Sequence, residues 1–211
     1  MNSLINISHY SSQFKESYQR QPVEAFLQQL GHQRMDSCTE IRIITPNLRL
    51  KGKYVGKTIS GYYTDYQAAA KDIEPYDGQA SVYCSLQPCD PKLLRRSANR
   101  LSTQAKHTTS DQQIVAYQWL LLDIDPERPA DTASSDQELQ YSADLLARIK
   151  AERLDPQDIN LYTAISGNGV HGLVPIANSL PLDQTQTLVK EILEALDQEY
   201  STDQVKVEIL I

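Results

Sequence analysis

Residues 119 to 211 alternate in an order that few folds accommodate: strand, helix, strand, strand, helix, strand. The run Trp119-Leu-Leu-Leu-Asp123-Ile-Asp125-Pro126 predicts a buried strand ending at Asp125. Ser135-x-x-Glu138 has the form of a capping box and opens a helix with Leu139, Ala143, Leu146 and Ile149 on one stripe. Residues 159–165 predict a strand, followed by a glycine-containing turn and a second apolar run over 170–177. Asp183-x-x-Gln186 is expected to cap a helix carrying Leu188, Val189, Ile192, Leu193 and Leu196 on one face, and residues 205–211 form the last strand. This is the order of the split βαβ unit, an α/β (α+β) arrangement with two helices on one face of a four-stranded antiparallel sheet. The first and last strands are expected at the centre of that sheet, where Asp125 and Glu208 could meet.

The first half is less regular. Residues 22–30 place Val23, Phe26, Leu27 and Leu30 at helical spacing, and Gly31 follows as a left-handed stop. Residues 39–45 are rich in β-branched side chains and predict a strand; residues 54–63 predict another, with Gly52 and Gly56 as turn or bulge points. Thr64-x-x-Gln67 predicts a cap before an alanine-rich helix ending near Ile73, and residues 79–86 are strand-like. Asp90-Pro91 pairs an N-cap with proline at the first helical position, opening a basic helix expected to run through Leu101. The polar residues 1–20 are expected to be a flexible tail. Residues 21–211 are expected to form one domain, with subdomains over 21–114 and 115–211.

No stretch approaches the length of a transmembrane run, and the start lacks the basic and apolar blocks of a secretory signal. Cys38, Cys84 and Cys89 show neither metal-ligand nor disulfide spacing, which fits a reduced, cytoplasmic setting, with Cys84 as a small core residue. The net charge of −7 argues against coating nucleic acid through the whole surface. Two local basic runs could follow a phosphate backbone: Arg42, Arg49, Lys51, Lys53 and Lys57, and then Lys92, Arg95, Arg96, Arg100, Lys106 and His107. Either could equally be a solvated face.

Three features carry chemistry. Side chains repeat every two residues along a strand, so Asp123 and Asp125 share a face, and two adjacent carboxylates favour a hard divalent cation between them. Alternatively, Asp125 starts a turn at Pro126 while Asp123 pairs with a basic residue. Ser166-Gly167-Asn168-Gly169-Val170-His171 joins two strands through a turn whose backbone N–H groups could approach an anion, with Ser166 and His171 as added donors. Alternatively, Asn168-Gly169 is an ordinary type I′ hairpin turn and His171 a satisfied sheet histidine. Glu208, an acid in an apolar strand, needs an edge position, a partner or a metal.

Together these motifs resemble the archaeo-eukaryotic primase superfamily, in the prim-pol branch of plasmid, phage and CRISPR-linked proteins. LLLDIDPERP is similar to its first catalytic motif, SGNGVH to its serine-to-histidine second motif, and QVKVE to the strand bearing its third acid. SGYYTDY, VYCSLQPCDPKLLRRSANRL and KHTTSDQQI extend the likeness upstream, so that it runs from about Thr39 onward. The resemblance implies an RRM-like catalytic half with an N-terminal strand-helix unit packed on it. It implies Asp123, Asp125 and Glu208 as ligands of Mg²⁺ or Mn²⁺, and Ser166, Asn168 and His171 as contacts to the incoming nucleoside triphosphate. It also implies a DNA or RNA template-primer as partner and DNA primase or polymerase chemistry; from the two basic runs, Lys51, Lys53, Arg95, Arg96, Arg100 and Lys106 are the residues expected to hold the nucleic acid. Glu208 departs from the branch's usual aspartate by one methylene. Family members continue past this strand into a segment rich in Asn, Arg and Lys, so the expectation is a naturally shortened form, a fragment, or a separate chain supplying that segment.

Two other readings are compatible with the same residues. One is a non-catalytic prim-pol module that binds nucleic acid or nucleotide. The other is a DxD phosphatase of the haloacid-dehalogenase type, in which Asp123 would be a nucleophile and a threonine or valine would stand where this chain has Glu127.

Overall fold

The structure, a computed structural model, describes residues 4–6, 22–32, 36–45, 49–50, 53–54, 58–129, 132–177 and 180–210. Its architecture is mixed α/β: among these residues are four α-helices, two four-stranded antiparallel sheets and a two-stranded ladder. The described residues up to Ala116 belong to one compact unit, and those from Tyr117 onward to another.

The first unit contains β1 (Leu4–Asn6), α1 (Val23–Leu30), β2 (Thr39–Ile44), β3 (Arg49–Leu50), β4 (Lys53–Tyr54), β5 (Thr58–Tyr63), α2 (Tyr66–Ile73) and β6 (Ser81–Ser85). Its sheet runs β1-β6-β2-β5, with β3 and β4 paired separately. Thus Leu4–Asn6, expected within a flexible tail, instead pairs with β6. Helix α1 ends as the sequence predicts, with Gly31 at φ 75°. Helix α2 is capped not by Thr64 but by Asp65, whose Oδ1 accepts from Gln67 N and Ala68 N at 3.0 and 3.1 Å.

The expected basic helix through Leu101 is only a short 3₁₀ turn, Pro91–Arg95, capped by Asp90. Backbone pairing with β5 ends it: Tyr62 N donates to Ser97 O, Asn99 N to Tyr62 O, and Ser60 and Ser102 exchange both bonds. Asn99 makes the necessary bend at φ 48°. The three cysteines are free and buried, and Cys84 is a core residue as expected.

The second unit contains β7 (Trp119–Pro126), α3 (Asp136–Ile149), β8 (Tyr162–Ile165), β9 (Val170–Pro175), α4 (Leu182–Tyr200) and β10 (Val205–Glu208). The sheet order is β10-β7-β9-β8, all antiparallel. The predicted element order holds, but the expected centre does not. β7 and β9 occupy the middle of the sheet, and β10 lies at an edge beside β7. Leu120, Leu122 and Ile124 of β7, Val170 and Val174 of β9, and Val205 and Val207 of β10 join Leu146 and Ile149 of α3 and Val189 and Leu193 of α4 in one core. These residues alternate along each strand, so both helices cover one face and the intervening side chains lie on the other.

Helix α3 has the predicted Ser135/Glu138 capping box. Helix α4 starts at Pro181 with no side-chain cap, and Asp183 falls inside its first turn. Leu188 and Ile192, expected on the core face of α4, are 45 % and 37 % exposed, because Val189 and Leu193 take that face.

Candidate functional site

The pleat and the register assemble the site. Asp123 stands opposite His171 on one side and Glu208 on the other, giving a row across β9, β7 and β10. Asp125 stands opposite Lys206. All five side chains occupy positions on the face away from the helices, in phase with one another. The acid facing Glu208 is therefore Asp123, and not Asp125 as the sequence suggested.

His171 Nε2 lies 3.2 Å from Asp123 Oδ1, within ion-pair distance but without hydrogen-bond alignment. Both residues are secluded, with side chains 5 % and 16 % exposed. Asp123 Oδ1, His171 Nδ1 and Arg128 Nε are each buried without a hydrogen-bond partner among the described residues. Buried polar atoms are normally paired, so these three mark hydrogen-bonding capacity that the described residues leave unused, beside the His171–Asp123 ion pair.

Burial and the adjacent Asp123 carboxylate push Asp125 from 3.8 up to about 6; Glu208 adds to the push, while Arg128 and His171 oppose it. Arg128 Nη2 is 4.0 Å from Asp125 Oδ2. Glu127 ion-pairs with Lys206, which leaves Lys206 engaged beside Asp125 rather than with it.

The turn after β8 lies directly against these acids. Ser166 N donates to Gly169 O at 3.0 Å, and Gly169 N donates to Ser166 Oγ at 2.9 Å. Positive φ occurs at Gly167 (113°) and not at Asn168, so the tight turn centres on Gly167-Asn168 and is not the Asn168-Gly169 type I′ turn that the sequence offered. Asn168 is held from outside: Ser134 Oγ donates to its carbonyl oxygen at 2.5 Å, and Ser134 N donates to its Oδ1 at 3.3 Å. Gly169 has a spatial role. A β-carbon there would lie 1.9 Å from Asp125 Oδ1.

The sequence-predicted residues Asp123, Asp125, Ser166, Asn168 and His171 thus occur around one corner of the second unit, with Glu208 on the adjoining edge strand. Among the described residues, no three His, Cys, Asp or Glu side chains converge closely enough to hold one metal ion. Asp123 and Asp125 still suit a cation by their chemistry, since one has an orphaned buried oxygen and the other is raised by burial and by its neighbour. Sequence reasoning missed Arg128 and Ser134. The available signal for Arg128 was its isolation, because it is the single lysine or arginine between Lys106 and Arg148.

The basic residues of the first unit differ in their freedom. Arg95, Arg100 and Lys106 are exposed. Arg96 Nη1 donates to Tyr62 OH at 3.0 Å and to Thr108 O at 3.2 Å, and its guanidinium lies over the Tyr62 ring. Arg42 is bound to the fully buried Glu40 at 2.7 Å. The side chains of Lys51 and Lys53 lie outside the described residues.

No helix among the described residues is long and apolar enough to cross a membrane. Compared with known proteins, the chain matches no protein family, no curated protein and no solved structure.

Proposed function

We propose that the second unit is a prim-pol-like nucleotidyltransferase module, binding a nucleoside triphosphate with Mg²⁺ or Mn²⁺ and extending a primer or an initiating nucleotide on a DNA or RNA template. One observation carries this reading: the orphaned buried atoms at this corner include an acid oxygen, Asp123 Oδ1, and a donor, the Arg128 Nε–H, beside the His171 Nδ1, which donates only in the protonated ring. A site with both kinds of orphan suits a ligand that brings a cation and an anion together, as a metal-bound polyphosphate does.

In this reading Asp123 and Asp125 would hold the cation, and Glu208 adds negative field from the edge strand. A bound divalent cation would lower the pKa of the attacking hydroxyl and offset charge at the α-phosphate. The hydroxyl oxygen forms the new P–O bond as pyrophosphate leaves with the electron pair of the broken one. His171 and the Ser166–Asn168 turn orient the leaving phosphates, and Gly169 keeps that turn against the acids.

The phosphatase reading is weaker, because Glu127 occupies the position where that chemistry has a threonine or valine and is ion-paired with Lys206. The non-catalytic module has one observation in its favour, the lack of a converged three-ligand cluster among the described residues. Template-directed incorporation by the full chain with Mn²⁺ or Mg²⁺ separates the two. The expected result is incorporation by wild type and none by Asp123→Ala, with DNA binding retained. Wild-type binding to DNA without any incorporation would leave the binding module.

A further inference from the structure

Arg128 has an environment that the acids alone do not explain. Its side chain is 18 % exposed, and its Nη2 stays 4.0 Å from Asp125 Oδ2. Arginine–carboxylate bonds in good geometry are near 2.8 Å and often bidentate. Here the approach is loose, and the buried Nε–H has no acceptor among the described residues. Arg128 also acts electrostatically on Glu138 in the first turn of α3, but that carboxylate already accepts from Ser135 N and Ser135 Oγ at 2.7 and 2.8 Å. Ser134, next to that cap, holds Asn168 of the turn. The guanidinium is thus within electrostatic reach of both Asp125 and the cap of α3, with an Nε–H that no described acceptor takes.

Resting on the reading above, we infer that Arg128 is an anion-binding side chain of this site, which takes a phosphate group of a polyphosphate ester on its planar fork. Asp125 is its partner when no anion is bound. A divalent cation drawn to Asp125 would release Arg128, so cation and polyphosphate favour each other's binding. Lysine could supply the charge at this position but not the paired donors.

The test is titration calorimetry of the full chain with inorganic tripolyphosphate, with Mg²⁺ and with chelator. With Mg²⁺, Arg128→Gln should bind at least about tenfold more weakly than wild type, and Arg128→Lys should fall in between. Without metal, Asp125→Asn frees the guanidinium and should bind tripolyphosphate several-fold more tightly than wild type, a gain that Asp125→Asn/Arg128→Gln loses. Equal affinity of wild type and Arg128→Gln, or of Asp125→Asn with and without Arg128→Gln, overturns the inference. Wild-type affinity indifferent to Mg²⁺ would overturn the cation coupling and with it the nucleotidyltransferase reading, while the comparison with Arg128→Gln still decides whether Arg128 binds the anion. No tripolyphosphate binding by any form overturns both.

Discussion

Gly169 and Asp125 are packed so closely that a β-carbon at residue 169 would fall 1.9 Å from Asp125 Oδ1, and 2.3 Å from the Ile124 carbonyl oxygen. The second contact is with backbone in the central strand β7, which cannot swing aside as a side chain can. Gly169→Ala therefore has to push the turn off the strand. The expected cost is about 2 kcal/mol in urea denaturation, with weakened binding of Mg²⁺-nucleotide. An unchanged midpoint would show that the turn moves away from Asp125 freely.

Asp125 gives the unit a measurable pH dependence. Its ordinary value is 3.8, and burial with the adjacent Asp123 raises it to about 6 in the folded chain. Between those values the folded state holds a proton that the unfolded state has lost, so stability falls as pH rises through this window. Asp125→Asn should be more stable than wild type above pH 6, with the gap closing below pH 4. Because the side chain is 32 % exposed, solvent screening reduces the expected gap to about 1 kcal/mol. Added Mg²⁺ at pH 7.5 should raise the wild-type melting temperature and leave the variant unmoved. A variant less stable than wild type at pH 7.5 would mean that the carboxylate is held by compensating bonds.

Much of the second unit was legible because its elements carry strong local signals. Ser135 and Glu138 cap as their spacing predicts, and the apolar phase of β7 places Asp123 and Asp125 together. Strand order is a nonlocal property. No residue of 205–211 encodes whether β10 lies at the centre or the edge, nor its register against β7, and it is the register that puts Asp123 rather than Asp125 opposite Glu208. The basic segment failed for a related reason. Its helical pattern around Leu93 is real, yet backbone bonds from residues 97–102 to β5, remote in sequence, outweigh continuation of the helix. Arg128 and Ser134 act through contacts from a loop, where no periodicity marks them.

The exposed and engaged arginines of the first unit predict different phenotypes. Arg95→Glu with Arg100→Glu alters exposed side chains and should weaken DNA binding and flatten its salt dependence, with little change in folding. Arg96→Ala removes donors from Tyr62 OH and the Thr108 carbonyl, and should cost roughly 1–2 kcal/mol of stability. Filter binding across a salt series, alongside thermal melts, separates the two. An unchanged salt slope for the double variant would assign Arg95 and Arg100 to a solvated surface.

His32 makes the first unit acid-sensitive by a route independent of the acids in the second. It is 0 % exposed, with Nε2 2.8 Å from the Leu86 carbonyl and Nδ1 2.8 Å from Thr39 Oγ1. A carbonyl only accepts, so Nε2 carries the proton and Nδ1 accepts from the Thr39 hydroxyl. Tyr66 OH, 2.9 Å from Thr39 Oγ1, then donates to it and closes the chain of bonds. Burial lowers His32 from 6.5 to about 4, against the opposing bond to Leu86. As pH falls from 6.5 toward 4 the unfolded chain takes up a proton that the folded chain refuses, so stability is lost by up to about 3 kcal/mol. His32→Gln cannot titrate. It should be less stable than wild type at pH 7 through its poorer hydrogen bonds, and that deficit should shrink steadily toward pH 4.5. Carboxylates elsewhere titrate in both proteins and cancel in the difference. A deficit that stays constant from pH 7 to pH 4.5 would mean that the folded protein accommodates a charged imidazole at this position.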